Sequence, residues 1–172
     1  MAMYFVQHGL SLSKEINPDR PLSEEGRNEV KRISAHLQKM GITIKKVYHS
    51  GKTRAQETAQ IFSDYIRDGN IVELRGMSPN DDVTEFAVTL KQDNTMYVGH
   101  LPHMEKLVSF LVTGNENAGL VKFVNGGVVC VGKSEAGFHI EWFLKPSIWI
   151  RYPVKSFLMV RQALCSLKIK KK

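Results

Sequence analysis

Residues 3–11 read MYFVQHGLS, and the reading of the whole chain turns on them. The run Met3–Val6 is apolar and partly aromatic, too short for a helix and of the length of a buried strand. It leads to His8 and then Gly9, a residue that lets the backbone turn sharply and present the imidazole beside it. Three more short apolar or β-branched runs follow, at Lys46–His49, Ile71–Leu74 and Met96–Val98. Helix-length segments lie between most of them. Ser23 reads as the N-cap of a helix continuing through Val30, Ile33 and Leu37 to Met40, with Gly41 ending it. Thr53 to Ile66, Val83 to Leu90 and Pro102 to Leu111 read as further helices, the last with proline in its first turn. This alternation predicts an α/β fold, a mainly parallel sheet flanked by helices on both faces. After Gly126–Gly127 the pattern changes: VVCVGKS and FHIEWFL, joined by EAG, read as a C-terminal hairpin.

With 172 residues and 42% hydrophobic content, the chain is long enough for one full core, and a single domain over 1–150 is expected. The net charge of +7 suggests nucleic acid until it is located. Residues 151–172 hold seven basic side chains and no acidic ones, leaving 17 of each in 1–150. A neutral body argues against nucleic acid as a partner, because such a domain normally carries its basic stripe on the fold itself. The tail is read as a basic appendage, not a domain of its own. Phe157, Val160, Leu164 and Leu167 fall at helical spacing opposite Arg161 and Lys168, which predicts an amphipathic helix over 156–168. It either packs on the body or touches an anionic surface. No apolar run approaches the ~18 residues of a membrane span, nothing resembles a signal peptide, and a cytoplasmic location is expected. Cys130 and Cys165 lack metal-site spacing and read as buried free thiols.

Ligands of an open α/β sheet bind beyond the carboxyl ends of its strands. Three segments place polar residues there: VQHG after the first strand, YHSGKTRAQETA across the second strand and the next helix, and VGHLPH after the fourth. His8, Arg54 and His100 thus converge on one rim, with Arg54 in a first helical turn where the amide dipole already favours an anion. His103 reads as a helix-surface histidine, His49 as packed beside the site, and Lys52 as solvated.

These segments resemble the histidine phosphatase superfamily, and the chain's short length suggests its SixA-type phosphohistidine phosphatases. The carrying residues are QHG at 7–9, RPLSEEGR at 20–27, SGKTRAQETA at 50–59 and VGHLPHM at 98–104, with WFLKP at 142–146 fitting the family's ending. The resemblance implies a phosphoglycerate mutase-like fold, and a neutral His8 that attacks phosphorus and becomes a phosphohistidine that water hydrolyses. His100 would face the phosphate as an imidazolium, and Arg54 would grip it in bidentate fashion. No cofactor or metal is implied. The substrate would be a phosphorylated protein, on histidine, or a small phosphorylated molecule. A proton donor to the leaving group is sought among Asp81, Asp82 and Glu85, each also readable as a helix cap or surface acid.

One departure stands out. Gln7 occupies the position of the family's first arginine, where its side chain would face the phosphate, and Arg20 is the candidate to replace the missing charge. Two other readings follow: a catalytically impaired relative that binds phosphorylated ligands, and an anionic-surface or nucleic-acid binder acting through the basic tail.

Overall fold

The computed structural model describes residues 2–66, 70–90 and 93–146. The expected amphipathic helix, Cys165 and the whole segment 151–172 lie outside these. Ten elements follow in order: β1 (Ala2–Gln7), α1 (Glu24–Lys39), β2 (Lys46–His49), α2 (Thr53–Tyr65), β3 (Asn70–Glu73), α3 (Val83–Ala87), β4 (Thr95–Gly99), α4 (His103–Thr113), β5 (Val128–Ser134) and β6 (Gly137–Leu144). They build one six-stranded sheet in the order β3-β2-β4-β1-β5-β6. Its first four strands are parallel, and the C-terminal hairpin extends it antiparallel from β1.

Strand β1 shows why the sheet is covered twice. Side chains alternate between faces along a strand. Tyr4 and Val6 accordingly pack with Val30, Ile33 and Leu37 of α1 and Ala55, Ala59 and Phe62 of α2. Met3 and Phe5 point the other way, into a second cluster with Phe86 of α3 and Met104, Leu107 and Val108 of α4. Cys130 lies buried as a free thiol, and burial raises its pKa to about 11. Among the described residues no helix is long and apolar enough to cross a membrane.

Local signals hold at the helix ends. Ser23 caps α1 by accepting from the Gly26 amide at 3.0 Å, and Gly41 after the last turn has φ +74°. Helix α3 is shorter than its apolar spacing predicts. The Thr89 hydroxyl takes the Phe86 carbonyl at 2.7 Å, competing with the backbone bonds that would carry the helix to Leu90. Helix α4 starts at His103, with Pro102 as the cap residue.

Gly26 locks α1 onto the loop after β1. A Cβ built there would collide with the backbone carbonyl and amide of Leu10, and neither is a flexible side-chain end. Gly26→Ala is therefore expected to destabilise the protein by about 1–3 kcal/mol in urea unfolding, the range of an overpacked site. A loss within error of zero would show that the loop yields.

Candidate active site

The His8 amide donates to the Gly99 carbonyl at 3.1 Å, extending the β1–β4 ladder by one step. His8 and His100 are thus held on neighbouring strand ends, their ring centroids 4.9 Å apart and their planes inclined at 58°. The His8 ring is fixed from both sides. Its Nδ1 lies 2.8 Å from the Gly9 carbonyl, an acceptor only, so the proton sits on Nδ1. Nε2 then keeps its lone pair and accepts from Arg54 Nε at 3.0 Å. Thr58, one turn beyond Arg54, ties both segments together: its hydroxyl donates to the Arg54 carbonyl at 2.7 Å and accepts from the Gly9 amide at 3.0 Å.

Ser50 Oγ lies 2.6 Å from His100 Nε2 and orients that ring, which is 2% exposed. Arg20 holds a left-handed backbone, φ +51°, uncommon for a residue with a side chain. Its guanidinium bonds the Leu12 carbonyl and Ser11 Oγ, each at 3.3 Å. Its charge is felt by both His8 and Arg54.

These surroundings set the protonation states. Burial lowers the His8 pKa to about 4, with Arg54, Arg20 and Lys52 adding to the fall and the Gly9 carbonyl opposing it. Burial, then His8 and the nearby cations, lower His100 to about 3. Both rings are neutral near pH 7, because burial and the neighbouring cations disfavour a further positive charge. In the unfolded chain both would protonate near pH 6.5. The stability held by the neutral rings is thus complete above pH 6.5 and is lost as pH falls toward 4. Stability is expected to drop between pH 7 and pH 5 by up to about 1.4 kcal/mol per pH unit for each ring. Equal urea midpoints at those two pH values would contradict it.

The remaining candidates take varied places. The Asp82 carboxylate caps α3, accepting from the Thr84 amide at 2.7 Å, the Glu85 amide at 3.2 Å and the Thr84 hydroxyl at 2.6 Å. The Thr84 hydroxyl foremost, with these amides, lowers its pKa, which makes it a poor acid. Asp81 accepts from the Ser78 amide at 2.7 Å. With Glu85 and Ser50, both line a cavity of about 590 Å³. Gln7 donates its amide to Asn125 Oδ1 and lines a different cavity, of about 480 Å³. His103, expected at the helix surface, is instead fully buried, its ring 5.5 Å from Phe86 and edge-on to it, because α3 packs over the start of α4. His49 is buried beside the site and accepts from the Gly51 amide at 3.1 Å. Lys52 stays exposed, and its charge reaches both site histidines.

Ser50, Thr58 and Asn125 are the residues that a search for charged or nucleophilic groups misses. Ser50 and Thr58 stand at four-residue spacing on either side of Arg54, a signal present in SGKTRAQETA. Asn125 has no such signal, since it meets Gln7 only through the fold.

Two neutral imidazoles stand at a parallel sheet's carboxyl edge beside two guanidinium groups and an ammonium, an arrangement suited to an anion. The family model for the histidine phosphatase superfamily (branch 1) matches residues 3–78, a span holding His8, Arg20 and Arg54 and stopping short of His100. Over those 76 of its 172 residues the chain is similar to the histidine phosphatase superfamily. Its fold is similar to that of the protein histidine phosphatase SixA complexed with tungstate, with TM-score 0.75 at 20% identity over 86% of this chain and 98% of that one. It is also similar to the alpha-ribazole phosphatase of Shigella flexneri, with TM-score 0.67 at 14% identity over 85% and 97% of the chains. The phosphoserine phosphatase of Entamoeba histolytica gives TM-score 0.63 at 14% identity over 84% and 96%. No curated protein matches the sequence.

Proposed function

We propose that the chain is a phosphatase that cleaves phosphohistidine, or another phosphorylated group with a good leaving group, through a phosphorylated His8. The observation that carries this reading is the His8 ring: Nδ1–H bonded to the Gly9 carbonyl, Nε2 unprotonated and 3.0 Å from Arg54. In the first step Nε2 forms a bond to phosphorus while the bond from phosphorus to the leaving group breaks. In the second, water attacks phosphorus, the N–P bond breaks, and phosphate leaves with Nε2 neutral again. Arg54 and Arg20 carry the charge that holds the phosphoryl oxygens. His100 gains its proton only beside the phosphoryl dianion, whose charge reverses the local field.

Phosphohistidine is favoured over alkyl phosphates by the state of the carboxylates. Of the three candidate acids, Asp82 is held charged as a cap and Asp81 accepts from the Ser78 amide, which leaves Glu85 alone to serve as proton donor. Imidazole leaves far more readily than an alkoxide and needs less acid assistance. Turnover of a phosphohistidine peptide and of an aryl phosphate, with a phosphorylated His8 mapped after an alkaline quench, tests the reading. Phosphate binding without turnover of either would favour a ligand-binding relative instead.

That second reading draws on Gln7, whose neutral amide is taken by Asn125. A charge-assisted hydrogen bond is worth about 1.5–3 kcal/mol against about 1 for a neutral one. Gln7→Arg is therefore expected to raise aryl phosphate turnover by roughly ten- to a hundredfold. An unchanged or lower rate in a folded variant would indicate a pocket rebuilt around glutamine.

A further inference from the structure

The cavity of about 480 Å³ lined by Gln7 is unlike the phosphoryl site in charge. Gln7 precedes His8 and Leu101 follows His100, so this cavity abuts the two strand ends that bear the histidine pair. Phe123, Val124 and Pro146 give it apolar walls, while Glu25 and Glu29, one turn apart on α1, place two carboxylates in it. Among the described residues, no basic side chain lines it. Glu29 is half-buried, and its ionic partner among the described residues is Arg32, at 3.9 Å and outside the cavity. Burial and then the charge of Glu25 raise its pKa, with Arg32 opposing. Gln7 Oε1 is buried with no hydrogen-bond partner, and the Gln7 amide nitrogen is taken by Asn125, a residue of the same wall. The cavity beside Ser50 differs: Arg75 stands among its walls, and Asp81 and Asp82 are bonded to backbone amides.

We propose that the cavity between Gln7 and the Glu25/Glu29 pair is a substrate subsite for a cationic group, an alkylammonium or guanidinium carried by the phosphorylated molecule. This rests on the phosphatase reading. Apolar walls under a carboxylate rim fit an alkyl stem with a charged head. A substrate so built lies across the field of the site, phosphoryl group toward Arg54, Arg20 and Lys52, cation toward the glutamates.

The probes are tyramine phosphate, cationic at pH 7, and N-acetyltyramine phosphate, its neutral counterpart with a similar leaving group. The cationic probe is expected to have about a tenfold higher kcat/KM, the equivalent of one charge-assisted bond, and the ratio should shrink as salt rises. In the Glu25→Gln, Glu29→Gln double variant the ratio should approach one. Equal kcat/KM for the two probes on the natural chain overturns the subsite and leaves the phosphatase reading standing. A preference that persists in the double variant, or that ignores salt, also overturns it. No turnover of either probe, with a phosphohistidine peptide still cleaved, overturns the subsite alone; no turnover of any of the three overturns both.

Discussion

His8→Ala is expected to abolish turnover, by about 10⁴-fold or more, while the protein stays folded. Without an imidazole there is no atom to receive the phosphoryl group, and water would have to displace the leaving group directly. The fold should survive because the core around β1 is made by Met3, Tyr4, Phe5 and Val6, whereas the His8 ring contacts the Gly9 carbonyl and Arg54 at the strand's end. The sign of the stability change is informative in acid. A buried ring with pKa about 4 costs stability below pH 6.5, because the unfolded chain takes up its proton there and the folded one does not. His8→Ala should therefore depend less on pH than the natural chain between pH 7 and 5. Residual turnover near the parent rate, with no trapped phosphohistidine, would remove His8 from the nucleophile's role.

Arg54→Ala should lower kcat/KM by about 10²–10³-fold, the scale of one lost transition-state donor. Lysine should restore little, because a point charge lacks the planar donors that pair with phosphoryl oxygens and would not reproduce the Nε–H bond to His8. A second readout separates charge from geometry. Arg54 is among the groups holding the His8 pKa down, so its loss should move the acid limb of the kcat/KM profile upward from about pH 4. His100→Ala should cost a similar factor without disturbing the His8 tautomer, which the Gly9 carbonyl sets. A loss below about threefold in either variant would place that residue outside the reacting site.

Local physics explains how much could be read before any contact was known. Ser23 capping Gly26, Gly41 closing α1 and the two-face alternation of Met3 to Val6 depend on neighbours within a few residues, so the alternating order of strands and helices was legible. The convergence of His8, Arg54 and His100 followed from strand ends in a parallel sheet. Helix α3 fell short because a hydroxyl competed for a carbonyl, a detail that apolar spacing does not carry.

What only the tertiary structure decided is the environment of each of these groups. His103 is buried because Phe86, from a separate helix, covers it. Gln7 meets Asn125 across 118 residues, and Ser50 meets His100 across 50. The neutral state of both site histidines comes from burial and from cations contributed by two different segments, Arg20 and the Lys52–Arg54 stretch. A pKa or a side-chain partner is a sum over groups that the fold gathers from distant positions. The sequence determines which groups exist and on which element each sits, and packing alone determines what field they feel.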